Sequence, residues 1–246
     1  MIELINVGYS YEGPRGRSEA LAQIHLKMSP NEKIVILGAN GTGKTTLLKL
    51  INGLLFPTEG QITYRGTVLC PATLRRTAFG KQFRSEVALV FQNPDVMLFH
   101  PTVEDEIAFG PRQKGLSESE AREISQNWAE IFGLKEVLTK SPFELSGGQK
   151  KRVCFAAAMA LEPQLLLLDE PLAHLDPRTT DWLMNFLTNL KISMITTNHN
   201  LSLANQLGER ALVIGENHEL VFDGQTSEFL SKLTPRESQG QSFWFY

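Results

Sequence analysis

The chain opens on alternating apolar and polar positions. Residues 2–9 ("IELINVGY") alternate as a strand, and "LAQIHLKM" (21–28) alternates again, with Ile24, Leu26 and Met28 on one side. Such a period of two predicts strands with one buried face. "EKIVILG" (32–38) differs: it is a continuous, β-branched run ending in glycine, the pattern of a strand buried on both faces. The spacing then becomes helical in "TTLLKLINGLL", where Leu47, Leu48, Leu50, Ile51 and Leu54 recur. "PTEGQITYRGTVL" reads as turn, strand, turn, strand, and "VALVFQ" (87–92) as another buried strand.

From about Asn93 to Ala160 the pattern is helical. In "SESEAREISQNWAEIFGL", Ser117 is placed to cap a helix with Ala121, Ile124, Trp128, Ile131 and Phe132 down one face. Strands return in "LLLLDEP", "ISMITTNH" and "RALVIGENHELVFDG", with a helix in "TTDWLMNFLTNL" between the first two. The expected organisation is one domain over 1–246, in which 1–92 and 161–246 carry the β-rich and α/β parts and 93–160 forms a helical insert. The tail "SKLTPRESQGQSFWFY" loses periodicity, and its aromatics point to docking.

Composition narrows the class. With 246 residues, 42% hydrophobic and 21% charged, the chain has the make-up of a soluble globular protein with a sizeable core. A net charge of −3 gives no global pull toward nucleic acid. The two cysteines, Cys70 and Cys154, lack metal-ligand spacing and fit a reduced cytoplasmic chain. The start lacks a basic segment and a long apolar core, so no signal peptide is expected. No run approaches the ~18 apolar residues of a membrane span, so any membrane role must come through partners.

The chemistry begins where the buried strand ends. Gly38-Ala39-Asn40-Gly41-Thr42-Gly43-Lys44-Thr45, followed by Thr46, fits G-x-x-x-x-G-K-[ST] between a strand and a helix. Its glycines let backbone N–H groups turn inward as a nest for phosphate oxygens, and the helix start adds partial positive charge. Helix dipoles disfavour a cation there, so Lys44 makes sense with an anion present. Thr45 suits Mg²⁺ and Lys44 the terminal phosphates. "LLLLDEP" supplies the acidic counterpart: Asp169 suits Mg²⁺ through water, and Glu170 a hydrolytic water. A second glycine loop, "ELSGGQKKR" (144–152), opens another helix at Ser146-Gly147-Gly148-Gln149. Lys150, Lys151 and Arg152 crowd its first turns, and by themselves read as a solvated basic face.

"LSGGQ", with a phosphate loop before it and "LLLLDEP" after it, resembles the nucleotide-binding subunit of ABC transporters over nearly the whole chain. The resemblance implies a P-loop NTPase of α/β class, with a RecA-like core, an antiparallel β-subdomain and an inserted helical subdomain. It implies ATP and Mg²⁺ as cofactors. It also implies roles for further residues: Tyr11 stacking on adenine, with Tyr9 as competitor; Gln92 contacting Mg²⁺ and water; Asp176 in the loop that crosses to a partner subunit; and His199 contacting the γ-phosphate. Asp176 also reads as an ordinary helix cap before Pro177. His25, His100, His174 and His218 match no motif and read as structural or surface residues. Asn200 stands where the family often has Asp, and His174 is bulkier than the family's usual small residue, which puts the crossing loop's geometry in question.

"FQNPDVMLFHPTVEDEIAFGPRQKGLS" is similar to the ATPases of energy-coupling-factor and cobalt or nickel importers. That resemblance implies an ATPase homodimer, or a heterodimer with a related ATPase. It would sit on the cytoplasmic face of the membrane with a membrane coupling protein and a small substrate-binding membrane protein, carrying a metal ion or vitamin. Met97, Leu98 and Phe99 fall in the region that receives the membrane partner. The rival is a soluble ABC ATPase without a transport role, such as an iron–sulfur assembly scaffold subunit, which that string disfavours.

Overall fold

The computed structural model describes residues 1–14 and 16–233. The sequence-predicted docking role of the C-terminal aromatics falls in 234–246, outside the described residues. Strands β1 (Ile2–Gly13), β2 (Gly16–Met28), β4 (Glu59–Tyr64) and β5 (Thr67–Val68) form an antiparallel sheet in the order β2-β1-β4-β5. The second sheet runs β10-β9-β3-β8-β7-β6, built from β3 (Lys33–Leu37), β6 (Val87–Val90), β7 (Leu165–Asp169), β8 (Ser193–Thr197), β9 (Arg210–Ile214) and β10 (Leu220–Gln225). Five of these strands are parallel, and β10 pairs antiparallel on the edge.

Continuous apolar runs fit the parallel strands because both faces of that sheet are covered. In β3, Ile34 and Ile36 join a core with β1, β2 and helix α1 (Lys44–Ile51), whereas Val35 and Leu37 join a core on the opposite face. The four leucines of β7 divide the same way: Leu165 and Leu167 to one side, Leu166 and Leu168 to the other. Burying a leucine contributes roughly 1.5–3 kcal/mol, so this short run anchors the centre of the molecule.

Short helices α2 (Pro71–Leu74) and α3 (Ala78–Glu86) precede β6. Sequence pattern gave no element here, because the stretch is polar and only Leu74, Gly80 and Phe83 are buried. Capping holds it instead: Thr77 accepts from the Gly80 amide, and Phe83 meets Tyr64 edge-to-face at 5.2 Å. Between β6 and β7 come α4 (Val103–Lys114), α5 (Glu118–Ile131) and α6 (Gly147–Met159). After β7, α7 (Pro177–Asn189), α8 (Ala204–Leu207) and α9 (Thr226–Ser231) complete the described chain.

Ser117 caps α5 as expected, in a reciprocal pair with Glu120. The predicted face needs one correction. Ala121, Ser125, Ala129 and Phe132 are buried, but Ile131 is 49% exposed. At about 100° per residue, Ile131 lies beyond the edge of the stripe centred on those four. Phe132 instead reaches across to α7, meeting Trp182 at 5.2 Å and Phe186 at 5.0 Å.

The parallel strands end together. The glycine loop after β3, Asp169 at the end of β7 and Asn198-His199 after β8 all lie at one edge of the sheet, where open α/β sheets place their ligands.

The cysteines make the burial pattern testable. Cys154 is buried in α6, and that burial pushes its thiol up to about 12. Cys70 is partly exposed before α2, and bonds from Thr73 lower its pKa. A thiol reagent is expected to titrate one cysteine per native chain and two in denaturant. Two fast-reacting thiols in the native chain would contradict this packing.

Candidate functional site

The glycine loop has the geometry of an anion cradle. Gly38 sits at φ 147°, where an added Cβ would meet the Ile214 carbonyl at 2.5 Å. Gly43, the residue before α1, has φ 103°, and a Cβ there would meet the Ala20 carbonyl at 2.1 Å. Both positions require glycine. Gly43 offers no side chain to cap α1, so the first amides of that helix carry no side-chain partner. Lys44 is buried and folds back, donating from Nζ to the carbonyls of Gly38 at 3.0 Å and Ala39 at 2.8 Å. Burial lowers its pKa, while Glu170 and Asp169 oppose that shift.

Asp169 is buried at the end of β7, and two hydroxyls hold its carboxylate. Thr45 Oγ1 donates to it at 2.8 Å, and Thr197 Oγ1 at 2.8 Å. Three elements, α1, β7 and β8, thereby meet at one carboxyl group. A hydroxyl beside a carboxylate is an all-oxygen donor pair. It fits a hard divalent cation such as Mg²⁺, which takes one or two protein ligands and fills the rest with water and phosphate.

Glu170 follows in left-handed backbone, φ 43°. Its amide donates to Thr197 Oγ1 at 2.9 Å. Carboxylate oxygen Oε2 accepts from Gln92 Nε2 at 2.9 Å and lies 3.3 Å from His199 Nδ1. The turn closes when the Ala173 amide donates to the Glu170 carbonyl at 3.1 Å, and His174 is again left-handed at φ 61°. Two such non-glycine residues cost about 1–3 kcal/mol each, so neighbouring contacts must hold the turn in place.

A cleft of about 840 Å³ opens over these groups. Gly38, Asn40, Gln92, Glu170 and His199 line it, so the sheet edge brings these sequence-predicted residues together. His174, exposed in keeping with its reading as a surface residue, also lines the cleft at the end of the turn that starts at Glu170. Tyr11 is partly exposed, with its hydroxyl 3.1 Å from Thr46 Oγ1 and its ring edge-on to Tyr9 at 4.9 Å. Asp176 caps α7, accepting from the Thr179 amide at 3.0 Å, and is exposed.

Ser146, Gly147, Gly148 and Gln149 are not brought into that cleft. Ser146 caps α6 in a reciprocal pair with Gln149, and Ser146 and Gly147 face outward. The three cations that follow are not a solvated face. Lys150 pairs with Asp95 at 2.7 Å, Lys151 is buried, and Arg152 donates to Thr179 Oγ1 at 3.2 Å. Burial pushes the Lys151 ammonium down to about 8. Sequence pattern missed these contacts because their acceptors lie on segments far away in the chain.

The apolar trio after Gln92 also separates. Leu98 is buried and Met97 packs against the core, its sulfur accepting from the Phe91 amide at 3.4 Å. Phe99 is 63% exposed, and Val96, three residues before it, is exposed too. Phe99 and Phe109 meet edge-to-face at 5.4 Å around His100, whose Nδ1 lies 3.3 Å from the buried Glu106. No helix among the described residues is long and apolar enough to cross a membrane.

Comparison with known proteins agrees with this geometry. The ABC transporter family profile matches residues 21–173. An energy-coupling factor transporter ATP-binding protein of Methanospirillum hungatei is 38% identical, over 94% of this chain and 82% of its own. A nickel import ATP-binding protein of Rhodobacter capsulatus is also 38% identical, over 94% and 91%. Among solved structures, the dimeric ATP-binding cassette MJ0796, in a post-hydrolysis state with ADP and phosphate, superposes with a TM-score of 0.82 at 26% identity, covering 92% of this chain and 99% of that one. The cassette cbiO1 of Clostridium perfringens, part of the cbiONQ transporter complex, gives 0.77 at 30% identity, over 94% and 90%. A glycine loop, a buried aspartate and a glutamate gathered at one sheet edge, in a chain with these relatives, identify it as a member of the ABC transporter family, an ATP-binding and ATP-hydrolysing subunit.

Proposed function

We propose that this chain powers an importer of the energy-coupling-factor type, binding ATP with Mg²⁺ in the cleft above β3 and β7. The observation that carries the reading is the Glu170 carboxylate, held between Gln92 and His199 beside the glycine loop. The loop amides and Lys44 bind the phosphates; Lys44 exchanges two carbonyl acceptors for charged oxygens, a stronger partner. Thr45 and Asp169 hold the metal, which when bound neutralises phosphate charge. Glu170 takes a proton from the attacking water, Gln92 orients both, and His199 stands beside the terminal phosphate. Tyr11 stacks on the adenine.

One chain offers two glycine-rich helix starts, of which only one faces the cleft. Ser146–Gln149 and Asp176 therefore serve the partner's nucleotide in a two-fold dimer, where an isologous interface pairs each loop with the other's. The MJ0796 cassette, described as a dimer with ADP and phosphate bound, supports this. The second subunit is a copy of this chain or a related ATPase. The dimer sits on the cytoplasmic face of the membrane, on a coupling protein that works with a small substrate-binding membrane protein. A metal ion or vitamin is the cargo; the names of the energy-coupling-factor and nickel-import relatives support that class.

Glu170→Gln is expected to leave ATP affinity near wild type and to lower hydrolysis by about a hundredfold or more, because an amide cannot accept the water's proton. ATP should then hold the chains as a dimer on size exclusion. Wild-type turnover by this variant would overturn the assignment.

Val96 and Phe99, not the whole trio, form the exposed apolar surface for the membrane partner. Val96→Ser with Phe99→Ser should abolish co-purification with the coupling protein while ATP binding persists. Normal co-purification would place docking elsewhere.

A further inference from the structure

The run Lys150-Lys151-Arg152 ties α6 to three segments around the cleft. Lys150 pairs with Asp95, just beyond Gln92. Arg152 donates to Thr179, whose amide Asp176 caps, and its guanidinium lies 5.5 Å from the Trp182 ring. Between them, Lys151 is 4% exposed and donates to the carbonyls of Glu170 and Ala173, both at 3.2 Å.

Lys151 forms no ion pair within the salt-bridge distance among the described residues; its two hydrogen-bond acceptors are neutral carbonyls. An ammonium buried in that way opposes stability, so a stability role does not account for it. Its location does. The two carbonyls bracket the turn that starts at Glu170 and ends at left-handed His174. Glu170 already shares its carbonyl with the Ala173 amide. Lys151 adds the bond from outside the turn that fixes it to α6.

We propose that Lys151 is a positioning residue for ATP hydrolysis: through the Glu170 and Ala173 carbonyls it sets the turn that aims the Glu170 carboxylate, and links that aim to the placement of Ser146-Gly147-Gly148 on the same helix. This rests on the reading that Glu170 takes the proton from the attacking water. A helix is stiff over one and a half turns, so a shift of its N-terminus on meeting the partner's nucleotide moves Lys151 and, with it, Glu170. Lys150 and Arg152 carry the same displacement to the loop after Gln92 and to the start of α7. Hydrolysis is thereby made conditional on correct seating of α6.

The test compares Lys151→Met, Lys151→Gln and Lys151→Arg in the full chain. Lys151→Met removes both donors at similar volume. It should lower kcat about tenfold or more, while KM and the Kd for a non-hydrolysable ATP analogue stay within about threefold, and Tm does not fall. Lys151→Arg, which keeps donors for both carbonyls, should recover kcat to within about threefold of wild type. In a Glu170→Gln background, Lys151→Met should cost less than about twofold more in single-turnover rate, because both act through one carboxylate. Wild-type kcat in Lys151→Met overturns the proposal, as does a loss matched by lost nucleotide affinity or one that multiplies fully with Glu170→Gln. Unfolding of both Lys151→Met and Lys151→Gln overturns it too, by making Lys151 a structural cap. Wild-type turnover in Glu170→Gln alone is a separate outcome: it removes the underlying reading of Glu170 and, with it, this route.

Discussion

A buried carboxylate is tolerated where hydroxyls hold it, and Asp169 is held by those of Thr45 and Thr197. Bonds of this kind to a charged group are worth about 1.5–3 kcal/mol each, against a desolvation penalty of several kcal/mol. The balance makes the three elements interdependent. Helix α1 must begin where the glycine loop ends, β7 must deliver Asp169 at its last position, and β8 must run alongside in register, pairing Asp169 with Thr197. Once those constraints are met, Glu170 emerges at the sheet edge, and the Thr197 hydroxyl that donates to Asp169 also accepts the Glu170 amide. The carboxylate proposed to hold the metal and the one proposed to activate water are thus tied to one hydroxyl.

The same constraint explains why the parallel strands are so apolar. A sheet edge that carries charge needs a body that does not shift, and β3, β7 and β8 are buried throughout apart from Lys33. Their alternation between two cores locks the edge from both sides. Around this fixed edge the loop after β6 and helix α6 contribute groups through single side chains. Gln92 and Lys151 each meet Glu170 or its turn by one or two bonds, and Arg152 meets Thr179, which Asp176 caps.

Much of this was legible in the sequence, for physical reasons. Contiguous motifs carry their chemistry in adjacent residues: the glycine loop, Asp169-Glu170 and the Ser117 cap can each be read from a few neighbouring positions, although the partners of Asp169 and Glu170 are distant in the chain. Buried strands announce themselves by unbroken apolar runs. What escaped depended on distant partners. Residues 70–86 fold by capping and by one phenylalanine on Tyr64, not by a stripe. Ile131 and Phe132 are adjacent and equally apolar, but Ile131 lies off the buried stripe of α5, while Phe132 lies on it and packs against α7. Met97, Leu98 and Phe99 form one apolar word in sequence but point to different surroundings after the turn at Pro94–Val96. The basic run after Gly148 finds acceptors on three separate segments.

If the cleft of one chain is half of a nucleotide site, completed by Ser146–Gln149 of a partner, two differently damaged chains can repair each other when mixed. A Lys44→Ala chain is combined with a Gly147→Asp chain, and tight ATP binding with dimerisation is followed. If the loops meet between chains, the mixed dimer retains one intact site, with Lys44 from the second chain and Ser146-Gly147-Gly148 from the first. One tightly bound ATP per mixed dimer, where the wild-type dimer binds two, and none in either variant alone, is the predicted result. No recovery, with both variants folded and mixed dimers present, would contradict the account.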